Sequence, residues 1–149
     1  MTQHPSAESV KAELGRLVSE FFGAVSFEEG GAPAYGRIRS LFIEQGLLIK
    51  NVSPVPEIST IQSFIEPREA MVRKGELTRF LEEELSEVTQ VFGNVAQRFS
   101  AYSKGGTMNG KSFTARGMVC TQFILTPAGW RMSSMAWDDE RPGLSLPAA

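Results

Sequence analysis

The residues with chemical reach gather late in the chain, between Phe92 and Trp137. In the stretch FGNVAQRFSAYSKG, Arg98, Ser100 and Tyr102 stand two positions apart. That spacing puts them, with Ala96, on one face of a β-strand, and puts Val95, Phe99 and Ala101 on the other. A sheet that only covers a core leaves its second face polar and wet. A face that mixes a guanidinium, a phenol and a hydroxyl with apolar neighbours could instead line a cavity. Arg98 and Tyr102 would then orient a polar or anionic ligand, because a buried guanidinium demands a partner. The competing arrangement pairs Arg98 with a nearby glutamate on a solvated face. Gln122, on a later strand, could extend the same wall.

Other groups carry less chemistry. His4 is the single histidine and lies in the N-terminal tail, and Cys120 is the single cysteine, so no zinc-ligand spacing exists. No G-x-S-x-G nucleophile elbow occurs. Residues 105–112, GGTMNGKS, match the phosphate-loop pattern letter for letter. That loop works only between a strand and a helix N-terminus. Phe113–Val119 is β-rich and contains a glycine, so the stretch reads as a hairpin whose glycines and Asn109 supply turn geometry. Cys120 falls mid-strand and reads as a small core residue. Trp130, Met132, Met135 and Trp137 read first as core. Glu82–Glu84 reads as a solvated strand edge before it reads as a source of a pocket acid. Asp138–Arg141 reads as a solvated terminus or a subunit contact.

The elements that must position these groups follow from periodicity. Ser6 is a candidate N-cap, and Val10, Leu14, Leu17, Val18, Phe21, Phe22 and Val25 form a helical stripe from Ala7 to about Phe27. A second short helix is expected over about Ala34–Phe42, and a strand around Leu47–Lys50. Ser59 or Thr60 can cap a third helix to about Lys74, kinked or restarted at Pro67 and ended by Gly75. Three strands then run through Phe92–Trp137, preceded by the alternating end of LTRFLEEELSEVTQVFG. Helices followed by a run of strands imply an α+β fold, with helices on one side of a mainly antiparallel sheet. Long strands beside few helices tend to curl into a cone. Residues 1–6 are expected to be a lead-in, 7–141 one domain and 142–149 a tail.

Composition excludes several classes. The chain has 149 residues, enough for one core, and a net charge of −2 argues against general nucleic-acid affinity. No apolar run approaches the roughly 18 residues of a membrane-spanning helix. The start MTQHPSAESVKAELG lacks a secretory signal, and one cysteine fits the cytoplasm. No metal or cofactor is implied.

FGNVAQRFSAY at 92–102, RGMVCTQFIL at 116–125 and GWRMSSMAWDDE at 129–140 resemble the bacterial nuclear transport factor 2-like superfamily. This group includes SnoaL-like polyketide cyclases, ketosteroid isomerase and scytalone dehydratase. FIEPREAMVRKGEL at 64–77 resembles the linking segment of its small members. The resemblance spans about residues 7–141. It implies a cystatin-like cone of three N-terminal helices on a strongly curved sheet, a ligand-sized pocket and a homodimer through the outer sheet face. The isomerase residues are not retained: the helix-1 tyrosine position falls on Phe21, the base near Lys50 or Asn51, and the second acid near Met118 or Val119. The histidines of the cyclases and the dehydratase have no counterpart in the pocket.

The reading is therefore a homodimeric binder of a small, partly apolar molecule. Arg98, Tyr102, Ser100 and Gln122 would make its polar contacts, and Phe21, Phe64, Met118 and Trp137 its apolar lining. One alternative is a lyase- or isomerase-type enzyme using Tyr102 as acid and Glu44 or Glu84 as base. The other is a protein-interaction module that docks a partner on the sheet face.

Overall fold

The computed structural model describes residues 6–147; His4 and most of the expected lead-in lie outside the described residues, as do Ala148 and Ala149. Helix α1 (Ala7–Val25) starts where Ser6 accepts a hydrogen bond from the Ser9 backbone N–H, with Glu8 in the first turn. Its stripe from Val10 to Val25 is buried. The helix stops before Phe27, whose backbone instead exchanges hydrogen bonds with Phe80. The expected second helix is a 3-10 turn, Tyr35–Ser40, burying Tyr35 and Ile38. Strand β1 (Phe42–Lys50) is longer than the pattern suggested, and β2 (Glu57–Thr60) was not anticipated. Thr60 and Ser63 form a reciprocal capping box at the start of α2 (Ile61–Arg73), which runs through Pro67 without a break.

Four long strands follow: β3 (Leu77–Phe92), β4 (Val95–Met108), β5 (Lys111–Thr126) and β6 (Gly129–Asp139). The six strands form one sheet in the order β2-β1-β6-β5-β4-β3. All neighbours are antiparallel except β1 and β6, so the sheet is mixed. Asn109 and Gly110, both at positive φ, close the β4–β5 turn, and Gly105 and Gly106 belong to β4 itself. The phosphate-loop match is thus a hairpin. Among the described residues, no helix is long and apolar enough to cross a membrane.

Two register shifts decide which side chains meet. In β3, Glu84 pairs with Tyr102 but Ser86 pairs with Ala101, leaving Leu85 as an extra residue. Before this bulge Glu82 and Glu84 face the helices. After it, Glu87 and Thr89 do, opposite Ser100 and Arg98. Strict alternation would have turned Val88 inward, but Val88 is 65% exposed and Thr89 is buried. A second shift, between Gln122 and Phe123, turns Met132 and Met135 to the same inner face. The core lies between that face and the three helical segments, with Leu14, Leu17, Val18, Ile38, Leu48, Ile65, Phe123, Met132 and Met135 almost fully enclosed.

Candidate functional site

Arg98, Ser100 and Tyr102 do share the inner face of β4, but they serve two different neighbourhoods. Arg98 is only 8% exposed. Its Nε and Nη2 donate to the two carboxylate oxygens of Glu84 at 3.0 and 2.7 Å, and Nη1 donates to Thr89 Oγ1 at 3.1 Å. Glu87 approaches Nη1 at 3.4 Å, and Ser100 Oγ donates to Glu84 at 2.6 Å. The guanidinium rests on Gly15 of α1, where a Cβ would sit 3.5 Å from its nitrogens. Arg98 and Ser100 are thus held inside a closed ionic cluster that the β3 bulge assembles, away from the cavity described next. One of its carboxylates, Glu84, belongs to the Glu82–Glu84 run expected at a solvated edge.

Tyr102 points elsewhere. It borders a cavity of about 310 Å³ enclosed by α1, the 3-10 turn, α2 and the inner face of the sheet. Phe21, Phe64 and Trp137 join Tyr102 in its wall, with Met71, Val119 and Met135. The ring of Phe64 lies 6.2 Å from Phe21 and 6.3 Å, edge-on, from Trp137. Met118 and Gln122 are on the opposite face of β5: Met118 sits beside Phe99, and Gln122 is exposed near Phe92 and Val95. Alternation sends them outward while Gly117, Val119 and Thr121 face in. Of the expected bases, Glu84 is committed to Arg98 and Glu44 is exposed on β1.

The polar end of the cavity is built by cross-strand pairing. Tyr102 pairs with Gly117, and Gly117 pairs with Asp139. A Cβ at Gly117 would fall 2.3 Å from the Tyr102 hydroxyl and 2.2 Å from the Asp138 carbonyl oxygen. Only glycine lets the phenol cross its strand. The hydroxyl donates a short hydrogen bond to Asp139 Oδ1 and reaches the Asp138 carbonyl at 3.1 Å. Burial and the Asp139 carboxylate raise the Tyr102 pKa well above its ordinary value, so it remains a neutral donor. Lys104 Nζ lies 3.1 Å from Asp139 Oδ1 and pairs across strands with Glu82.

Glu82 is half-buried and borders both the cavity and the more open groove beside it. Its carboxyl lines the cavity, and among the described residues nothing donates a hydrogen bond to it. Burial pushes its pKa up to about 7; Lys104 and Arg68 oppose the shift and Asp139 adds to it. At neutral pH it can therefore hold or release a proton. Two further cations, Lys50 from β1 and Arg68 from α2, line the same space. Arg68 Nη1 donates to the Phe64 carbonyl at 2.9 Å, and its guanidinium lies 3.7 Å over the Phe64 ring. A wider, more open groove adjoins the cavity and shares Phe22, Glu82, Lys104, Ala115 and Asp139 with it.

Helices packed on one face of a mixed sheet match solved structures over nearly the whole chain. A nuclear transport factor 2-like superfamily protein from Salmonella enterica superposes with a TM-score of 0.74 at 13% identity, covering 96% of this chain and 100% of that one. The chain has the nuclear transport factor 2-like fold. A protein of that fold, described as cystatin-like, from Novosphingobium aromaticivorans matches with a TM-score of 0.64 at 14% identity, covering 88% of this chain and 82% of its own. LinA matches with a TM-score of 0.73 at 9% identity, covering 95% of each chain. No protein-family model matches the chain, and no curated protein does. At these identities the likeness fixes the nuclear transport factor 2-like architecture and leaves the chemistry to the side chains present.

Sequence reasoning missed Glu82, Lys104, Asp139, Lys50 and Arg68. One readable signal was available for Arg68: it stands four residues after Phe64 and three before Met71, on the apolar stripe of α2. The Tyr102–Gly117–Asp139 row required the strand registers.

Proposed function

We propose that this chain binds a small, largely apolar molecule in the cavity between its helices and sheet, with one polar end addressed by Tyr102, Asp139, Lys104 and Glu82. The observation that carries this reading is the make-up of the cavity: about 310 Å³ walled mainly by aromatic and aliphatic side chains, with the half-buried Glu82 gathered beside Lys104 and Asp139 on one wall. A largely apolar space with a few convergent polar groups is the common form of a small-molecule site. Native mass spectrometry of freshly purified protein tests the reading. A retained small molecule, released on denaturation and lost in an Ala115→Trp variant that fills the cavity, is expected. An identical complement of bound molecules in both proteins contradicts it.

Glu82 also favours a second reading, a lyase- or isomerase-type enzyme. A carboxyl poised near neutrality is suited to general acid–base work, and the Tyr102 hydroxyl beside it is a neutral hydrogen-bond donor. Glu82 replaces Glu44 and Glu84 as the base in that reading. The sheet's outer face, where Val88, Val95 and Phe99 are exposed, supports association of two copies through that surface. Curling of the sheet over the cavity, aided by the bulges in β3 and β6, belongs to the same proposal.

A further inference from the structure

Three cations and two acids line the cavity, and they are not evenly matched. Lys104 is engaged by Asp139. Arg68 has only the Phe64 carbonyl and the Phe64 ring as close partners, and the carboxylates it senses, Glu57 and Glu82, act on it at a distance. Lys50 likewise makes no ion pair among the described residues. Arg68 is half-buried, and a guanidinium partly withdrawn from water gains when an anion reaches it, the cation–π contact offsetting only part of the lost hydration. Its remaining N–H groups have no acceptor among the described residues, and the side chain borders the open volume. The apolar rings of Phe21, Phe64 and Trp137 adjoin it.

Resting on the binding role proposed above, we infer that the occupant is a small aryl or alkyl carboxylate whose carboxylate is received by Arg68. A planar guanidinium presents paired N–H donors that match a carboxylate in shape. The apolar body then lies against the aromatic wall, and its far end meets Tyr102 and Glu82. This orientation sets the ligand's charge on Arg68 and not against Asp139, which already holds Lys104 and the Tyr102 hydroxyl.

Two probes of similar size separate the claims: 3-phenylpropanoate and 3-phenylpropan-1-ol, titrated into the full chain by calorimetry. A hydrogen bond to a charged group contributes about 1.5–3 kcal/mol, so the carboxylate is expected to bind about 10- to 100-fold more tightly than the alcohol. In Arg68→Met the ratio of the two affinities should collapse to near one, and Arg68→Lys should retain part of it. Equal affinities in the wild-type protein overturn the carboxylate assignment and leave the cavity reading standing. Failure of both probes to bind overturns both. A preference that survives in Arg68→Met also overturns the role of Arg68.

Discussion

Replacing Glu82 by Gln tests the electrostatics of the cavity without changing its shape. Burial moves the Glu82 pKa from 4.5 to about 7, which at 1.36 kcal/mol per unit corresponds to about 3 kcal/mol. The sign follows from proton counting. An unfolded chain ionises this glutamate near 4.5, whereas the folded chain holds the proton until about 7. Across that window the native state binds the extra proton, so stability falls as pH rises; below 4.5 the penalty is absent and above 7 it is complete. Gln carries no charge at any pH. The stability difference between Glu82→Gln and wild type should therefore be flat below pH 4.5. It should then grow in favour of the variant by about 2–3 kcal/mol and level off above pH 7. Urea denaturation at closely spaced pH values between 4 and 8.5 measures this. A difference that stays constant with pH would show that Glu82 is solvated like any surface acid, and the polar end of the cavity would lose its distinguishing feature.

Three other expectations follow from the same geometry. Arg98→Met leaves Glu84 and Glu87 without their guanidinium partner and should cost about 2–4 kcal/mol, a loss of roughly 4–16 °C in melting temperature, while cavity binding persists; an unchanged melting temperature with lost binding would return Arg98 to the ligand. Gly117→Ala forces a methyl onto the Tyr102 hydroxyl and the Asp138 carbonyl and should cost about 1–3 kcal/mol by urea denaturation; wild-type stability would contradict the crossing described for Tyr102. Phe99→Asp, at a position 49% exposed on the outer sheet face, should halve the mass measured by light scattering; equal masses would remove that face as a site of self-association.

Much of the architecture was legible because it rests on local chemistry. The Ser6 cap and the α1 stripe announced the first helix, a cap at Ser59 or Thr60 announced α2, and Asn109 with its neighbouring glycines marked the hairpin that defeats the phosphate-loop match. The common face of Arg98, Ser100 and Tyr102 followed from a two-residue period. What that face meets did not, because partners on other strands depend on register. One extra residue, Leu85, turned Glu87 and Thr89 inward and converted an apparent edge into the clasp around Arg98. The reach of Tyr102 to Asp139, two strands away, hangs on the glycine paired between them, a relation with no trace along the chain. Glu82 was passed over because three consecutive glutamates look solvated, yet adjacent strand positions face opposite ways and only Glu83 is exposed.

The cavity itself can be watched directly through its methionines. Met71, Met108 and Met135 line it, Met118 lies on the outer face and Met132 is sealed in the core. With the methionine methyl groups labelled with carbon-13, titration with 3-phenylpropan-1-ol should shift the first three signals along one saturable curve and leave Met118 and Met132 in place. Movement of Met118 instead, or no saturable movement at any of the five, would contradict a ligand site between the helices and the sheet.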